Sequence, residues 1–288
     1  MTIALVGSPT VSGNGADAAR TLGTGNLLVI FCSWEDSGNI PSACTVDGTS
    51  ASACTGIKSH GGVGEAGGII FYFPNTVSGS KTISVTWGSG NAFPGWVALE
   101  FSGVATSSPL EVESALGSAT NGTSAASTTN ATSTTTANSL LVGLIKNYEG
   151  RTTTVNTSPT DWNEAHDGGG SPVYGTEVQY LVVSSAAVYQ AAGTLSGNGY
   201  WVAALATFKE SASATIEQEG FRFRNDDGSE STATWKANQD VNINLAADTA
   251  FRLRFLLKAT GNPDSIDAQA EARVKPSGGA FGAWEKIN

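Results

Sequence analysis

Hydrophobic residues fall in short runs along the first two-thirds of the chain: NLLVIFCSW (26–34), GIIFYF (68–73), KTISVTW (81–87), GWVALEF (95–101), SLLVGLI (139–145), TEVQYLVV (176–183) and YWVAALATF (200–208). Connections rich in Gly, Ser and Asn separate them, and no stretch of helical length carries a 3.6-residue period. That spacing predicts the strands of a β-sandwich. Several runs are apolar at successive positions, as expected of central strands covered on both faces or of strands facing another subunit.

The order of the runs occurs twice. GNLLVIFCSWED (25–36) matches NSLLVGLIKNYEG (138–150), and WVALEF (96–101) matches WVAALATF (201–208), which suggests two halves that contribute similar strands. Between them residues 117–139 are small and polar, either a flexible connection or an exposed β-edge, since Thr favours strands.

Beyond residue 210 the pattern becomes a clean alternation. In FRFR (221–224) and FRLRF (251–255), aromatic and leucine side chains point one way, while Arg222, Arg224, Arg252 and Arg254 point the other. Further short strands are expected at 231–237, 241–245, 268–274 and 283–287. Charge changes at the same place: residues 1–209 hold 6 basic and 13 acidic side chains, against 9 and 12 in the remaining 79 positions. The shift at FKESASATIEQ predicts a linker and two all-β domains. Residues 1–209 form a jelly-roll-like β-sandwich with an internal pseudo-repeat. Residues 210–288 form a smaller, charged, immunoglobulin-like β-sandwich.

Asn225, Asp226, Asp227 and Gly228 sit between two strand-like runs. With Gly228 at position 6 of a calcium loop, Phe223 and Thr234 would occupy the obligatory acidic positions, so the pattern fails. Asp-Gly between alternating runs predicts a hairpin turn instead.

Net charge is −10, which argues against a protein that coats nucleic acid and favours protein or glycan partners. The first residues carry no basic region before their short apolar run, and no run reaches membrane-spanning length, so a soluble chain made in the cytoplasm is expected. The three cysteines, Cys32, Cys44 and Cys54, form no zinc pattern. Cys44 and Cys54 are close enough in sequence to bridge one loop, although buried thiols are the simpler reading.

Catalytic and cofactor signals are weak. GVGEAG (62–67) matches a dinucleotide-binding fingerprint but precedes a strand where a phosphate cradle needs a helix, so it reads as a glycine loop. Asp161, Glu164, His166 and Asp167 cluster in DWNEAHDGGG, yet two carboxylates across a scissile bond require a geometry that spacing does not supply; an exposed loop is expected. His60 has no nearby partner, and neither GxSxG nor HExxH occurs. No enzyme and no cofactor is expected. Trp162, in polar surroundings, is the candidate glycan contact, other tryptophans being assigned to the core. Sequons at Asn121, Asn130 and Asn156 lie in Ser/Thr-rich sequence, where chance matches are common.

The carboxy-terminal IEQEGFRFRNDDGSESTATW (216–235), NINLAADTAFRLRFLLKATGNPDS (242–265) and AWEKI (283–287) together resemble a small β-sandwich module of tailed-bacteriophage structural proteins. GNLLVIF, WVALEFSGV, NSLLVGLI and YWVAALATFK likewise resemble a Gly/Ser/Thr-rich, jelly-roll-like module of virion and surface proteins. The resemblance implies a non-enzymatic virion structural protein on the outer surface of the particle. Its role would be to decorate or cement the head by binding the major capsid protein or other virion proteins, as a homo-oligomer, with a trimer the first guess. A tail-fibre or receptor-binding role is the alternative, and a glycan hydrolase comes last. Residues 1–209, weakly charged and apolar in their strands, are the first candidate for subunit contacts. The second uses Arg222, Arg224, Arg252 and Arg254, whose guanidinium groups fit carboxylates on an acidic shell; solvated strand faces are the plainer reading of those arginines.

Overall fold

The structure is a computed structural model of the 288-residue chain. It describes residues 2–35, 40–54, 66–90, 92–113, 117–128, 132–133, 136–155, 162–170, 173–212, 215–227, 232, 234–244, 251–260, 271–272 and 285–286. All described regular structure is β, as the runs predicted, and no helix occurs among the described residues. The chain divides into two units, Met1–Ser211 and Ala212–Asn288, close to the expected linker.

Nine strands build the first half of unit 1: β1 (Ala4–Gly13), β2 (Ala18–Leu22), β3 (Leu27–Glu35), β4 (Ala43–Val46), β5 (Thr49–Ser50), β6 (Ser52–Ala53), β7 (Ala66–Phe73), β8 (Gly79–Thr86) and β9 (Ala92–Ser102). The second half contains β10 (Leu110–Glu113), β11 (Gly117–Ser127), β12 (Thr132–Ser133), β13 (Ser139–Asn147), β14 (Thr153–Val155), β15 (Asn163–Gly168), β16 (Thr176–Val183), β17 (Val188–Tyr189) and β18 (Ala192–Lys209).

The repeat seen in sequence is a repeat of topology. One central sheet has the order β1-β9-β3-β7-β6, and the other has β10-β18-β13-β16-β15. Strand by strand they correspond, with the two LLV runs, β3 and β13, in the middle of each. A second layer also recurs. β2 and β4 flank β8 in the first half, while β11 and β14 flank the amino-terminal part of β18 in the second. Where the first half uses two strands, β8 and β9, the second runs them together as the 18-residue β18.

Alternation then decides which side chain goes where. Leu27, Val29 and Phe31 of β3 share a core with Leu140, Val142 and Leu144 of β13, so the two central sheets face each other. Edge-on ring pairs, Tyr72 with Phe208 and Phe101 with Tyr180, both at 5.4 Å, cross between the halves. The intervening residues Leu28, Ile30, Cys32 and Trp34 pack against Cys44, Val46, Ile83 and Val85 of the outer layer. Both β3 and β13 are therefore buried throughout. Each fully covered Leu, Ile, Val or Phe contributes roughly 2 kcal/mol. These runs are consumed inside the unit, covered by its own sheets, which removes the reason for assigning them to contacts with another subunit.

Local chemistry fixes the connections. Asp47 and Gly48 have φ of 47° and 77°, as a two-residue turn between paired Val46 and Thr49 demands. β1 is interrupted between Val6 and Thr10, where Arg20 reaches in to donate to the carbonyls of Val6 and Ser8 at 2.8 and 2.7 Å. Residues 117–127 are a paired strand, β11, the β-edge alternative. All three cysteines are free and buried, so Cys44 and Cys54 do not bridge. The loop at 62–65, His60, Asp161, Asn130 and Asn156 lie outside the described residues.

In unit 2, β19 (Thr215–Asn225) pairs with β20 (Phe251–Thr260). Two short strands, β21 (Glu271–Ala272) and β22 (Glu285–Lys286), pair with each other at two of the expected sites. The run expected at 231–237 contributes only a bridge, Arg224 to Trp235, and residues 241–244 are not a strand. The chain reverses between Asn225 and Thr234, where Asn225 N–H donates to Thr234 O at 3.0 Å, while Gly228 of the expected turn lies outside the described residues. Asp227 holds that reversal by accepting from the backbone N–H and hydroxyl of Thr234 at 3.1 and 2.8 Å, hydrogen bonds that lower its pKa.

Candidate functional site

The four arginines do share one face, because Arg222 pairs with Arg254 and Arg224 with Arg252 across β19 and β20. That face is covered unevenly: Arg224 is buried and Arg222 half-buried, while Arg252 and Arg254 are exposed. The segment after the turn runs antiparallel beside β19, bridged at Arg224 and Trp235, and lays Trp235 among the guanidinium groups, with Arg222 at 4.2 Å, Arg224 at 5.7 Å and Arg254 at 5.9 Å from the ring centre. Cation–π attraction of this kind is worth about 1 kcal/mol per contact. Arg224 is only 1 % exposed. Arg252 stands apart and pairs with Asp226 at 2.6 Å. Sequence alternation placed the arginines together; Trp235 was read as part of a strand, and nothing local in STATWKA marks it as their partner.

The opposite face, expected to be buried, is open as well. Phe251, Leu253 and Phe255 are 43 %, 37 % and 44 % exposed. Phe223 contacts Phe221 and Phe251, each ring centre 5.7 Å away. These side chains form an exposed apolar ladder along the hairpin.

At one end of the arginine face a groove of about 220 Å³ opens between Phe221, Arg222, Trp235, Gln239, Arg254, Phe255 and Leu256. It brings together two guanidinium groups and an apolar wall, and none of its described lining residues is a carboxylate. Asp240 lies beside it, but its oxygens accept from Phe221 N at 2.8 Å and Gln239 Nε2 at 3.2 Å.

The carboxylate cluster meets a different fate. Asn163–Gly168 is strand β15, where an exposed loop was expected, and pairs with β16 so that Asp167 lies opposite Glu177 and Glu164 opposite Gln179. A bulge between Glu164 and His166 supplies the extra residue that turns Glu164 and Asp167 to the same face. Glu177, which the sequence reading passed over inside an apolar run, is fully buried, and neither carboxyl oxygen has a hydrogen-bond partner. Burial first, then the charges of Glu164 and Asp167, pushes its pKa up to about 10, so it is a neutral acid at pH 7. His166 is lowered by burial, with Asp167 opposing. Among the described residues no three His, Cys, Asp or Glu side chains are placed to hold a metal ion. Glu177 is a covered acid packed inside unit 1.

Trp162 is also in the core. It is 4 % exposed and clusters with Leu141, Val183, Ala191 and Leu205, which leaves no ring face for a sugar. Its polar flanks, Asp161 and Asn163, hid this in the sequence.

A buried ion pair links the two halves of unit 1. Lys146 on β13, fully buried, donates to Glu35 of β3 and to the carbonyls of Asn147 and Tyr174, each at 2.7 Å. Burial lowers its pKa to about 8 against the opposing pull of Glu35.

No family model, curated protein or solved structure matches the chain.

Proposed function

We propose that the chain is a non-enzymatic structural protein of a tailed-phage virion, carried on the outer surface of the head and attached to the major capsid protein through unit 2. The single observation that carries the reading is the groove of Arg222, Arg254 and Trp235 on a hairpin whose other face is an open apolar ladder. Such a surface brings together arginine and aromatic side chains, the residue types that dominate binding energy at protein interfaces. Unit 1 fits a spacer or scaffold: its apolar strands are already covered by its own sheets, and the duplicated sandwich is held together by a continuous core.

The resemblance in sequence motivates the virion context, and the groove on unit 2 motivates the choice of attachment surface. Docking through unit 2 replaces the first expectation, that residues 1–209 make the contact. The test is co-sedimentation of purified chain with particles stripped of it. Wild-type chain should pellet with the particles. The variant with Arg222, Arg224, Arg252 and Arg254 all replaced by Ala should remain in the supernatant while unit 1 keeps its tryptophan fluorescence spectrum. Pelleting of the two to the same extent would remove unit 2 from the attachment.

A further inference from the structure

We infer that β15 is a strap held on the second central sheet by the proton of Glu177, and that ionisation of Glu177 releases the strap while the rest of unit 1 stays folded. The strap belongs to unit 1 and holds whether or not unit 2 binds a capsid.

Topology is the first argument. β15 ends its sheet, is six residues long, and among the described residues pairs with β16. Asn163, Glu164 and Asp167 face solvent, so its release bares little of the core. β13, by contrast, is paired along both edges and buried throughout. Elements with few buried contacts open before the rest.

The surroundings of Glu177 are the second argument. It lies on β16 opposite Asp167, with Glu164 on the same face, and both its carboxyl oxygens are covered and without a hydrogen-bond partner. Gln179, fully buried on the same face of β16, spends Nε2 on the carbonyl of Ala192 at 3.4 Å and leaves Oε1 unpartnered. Ile145 stands opposite Glu177 on β13. From β14, Thr153 N–H donates to Asp167 at 3.2 Å, and the Thr153 hydroxyl has no partner. The cations of these elements serve elsewhere. Lys146, next along β13, turns to the other face and pairs with Glu35. Arg151, ahead of β14, lies against Gly197 of β18, beyond Gly193 where Thr153 packs. His166 alternates to the face of Val178, and burial lowers its pKa. Among the described residues the charged groups that face Glu177 are therefore two acids.

An ionised Glu177 in the closed sheet would be a buried, unpaired charge beside two carboxylates, which is why burial and then Glu164 and Asp167 raise its pKa to about 10. Release of β15 lets water reach the carboxyl and carries Glu164 and Asp167 away, removing both causes. Between the ordinary carboxylate range and the raised value, each pH unit then favours the released strap about tenfold.

Hydrogen exchange of the full chain, read by mass spectrometry on peptides from β15 and β3, tests the strap. The quantity is the protection factor, the exchange rate of a free peptide divided by that of the folded chain. In wild type, β15 should exchange ahead of β3, and its protection factor should fall about a hundredfold between about pH 6 and about pH 8. Glu177→Gln has no proton to lose and should keep the factor constant across that range. Should this variant fail to fold, Asp167→Lys, at an exposed position opposite Glu177, supplies the missing cation and should flatten the fall. A wild-type factor that does not change with pH, or a fall of the same size in Glu177→Gln or Asp167→Lys, overturns the inference. So does a single common factor for β15 and β3, because unit 1 would then open as a whole.

Discussion

Glu177→Gln isolates the buried acid of unit 1. The carboxyl is fully covered, has no hydrogen-bond partner, and is raised from an ordinary 4.5 to about 10 by burial and by the charges of Glu164 and Asp167. Because the folded-state value is the higher one, the folded chain keeps a proton that the unfolded chain releases. The associated stability is complete below pH 4.5 and drains away as pH rises toward 10. One proton corresponds to about 1.4 kcal/mol per pH unit, so wild type should lose roughly 4 kcal/mol between about pH 5 and about pH 8 from this group alone. Glutamine has nearly the shape of the neutral acid and does not ionise. The variant should match wild type to within about 1 kcal/mol near pH 5 and be several kcal/mol more stable near pH 8. Urea unfolding followed by tryptophan fluorescence at both pH values reads the difference directly. A gap between wild type and variant that does not change with pH would refute the reasoning, because Glu177 would then have the same proton affinity folded and unfolded.

Lys146→Met strips the buried Glu35 of its ammonium partner across the two halves and should cost about 3–5 kcal/mol in the same unfolding assay, while Lys146→Met with Glu35→Gln should recover most of it. Cys32, Cys44 and Cys54 are buried thiols whose pKa values burial raises, Cys44 to about 12, so all three should resist a thiol reagent in the native chain and react on addition of urea. A thiol that labels at the rate of a free peptide under native conditions would contradict the packing of the outer layer.

The duplicated architecture was legible because the two LLV runs are central strands buried on both faces, and such strands write their position as uninterrupted apolar sequence. Strands β11 and β15, by contrast, are polar edge or near-edge elements whose pairing is carried by backbone hydrogen bonds, so β15 looked like loop and β11 was legible only as one of two alternatives. The amino-terminal part of β18, AGTLSGNG, was invisible for the same reason. In unit 2 the period of two put Arg222, Arg224, Arg252 and Arg254 on one face correctly. It was silent on which face is covered, because that depends on Trp235 arriving from beyond the turn. Glu177 carried a signal that went unused: a lone acid inside TEVQYLVV either exposes one strand face or sits neutral in the core.

Electron cryomicroscopy of purified particles bearing the chain, with copies per particle counted by quantitative mass spectrometry, tests the central claim most directly. The account predicts many copies ordered on the icosahedral lattice of the head, with the Arg222, Trp235 and Arg254 surface of unit 2 against the capsid protein. A few copies confined to the tail, or lattice copies attached through unit 1, would contradict it.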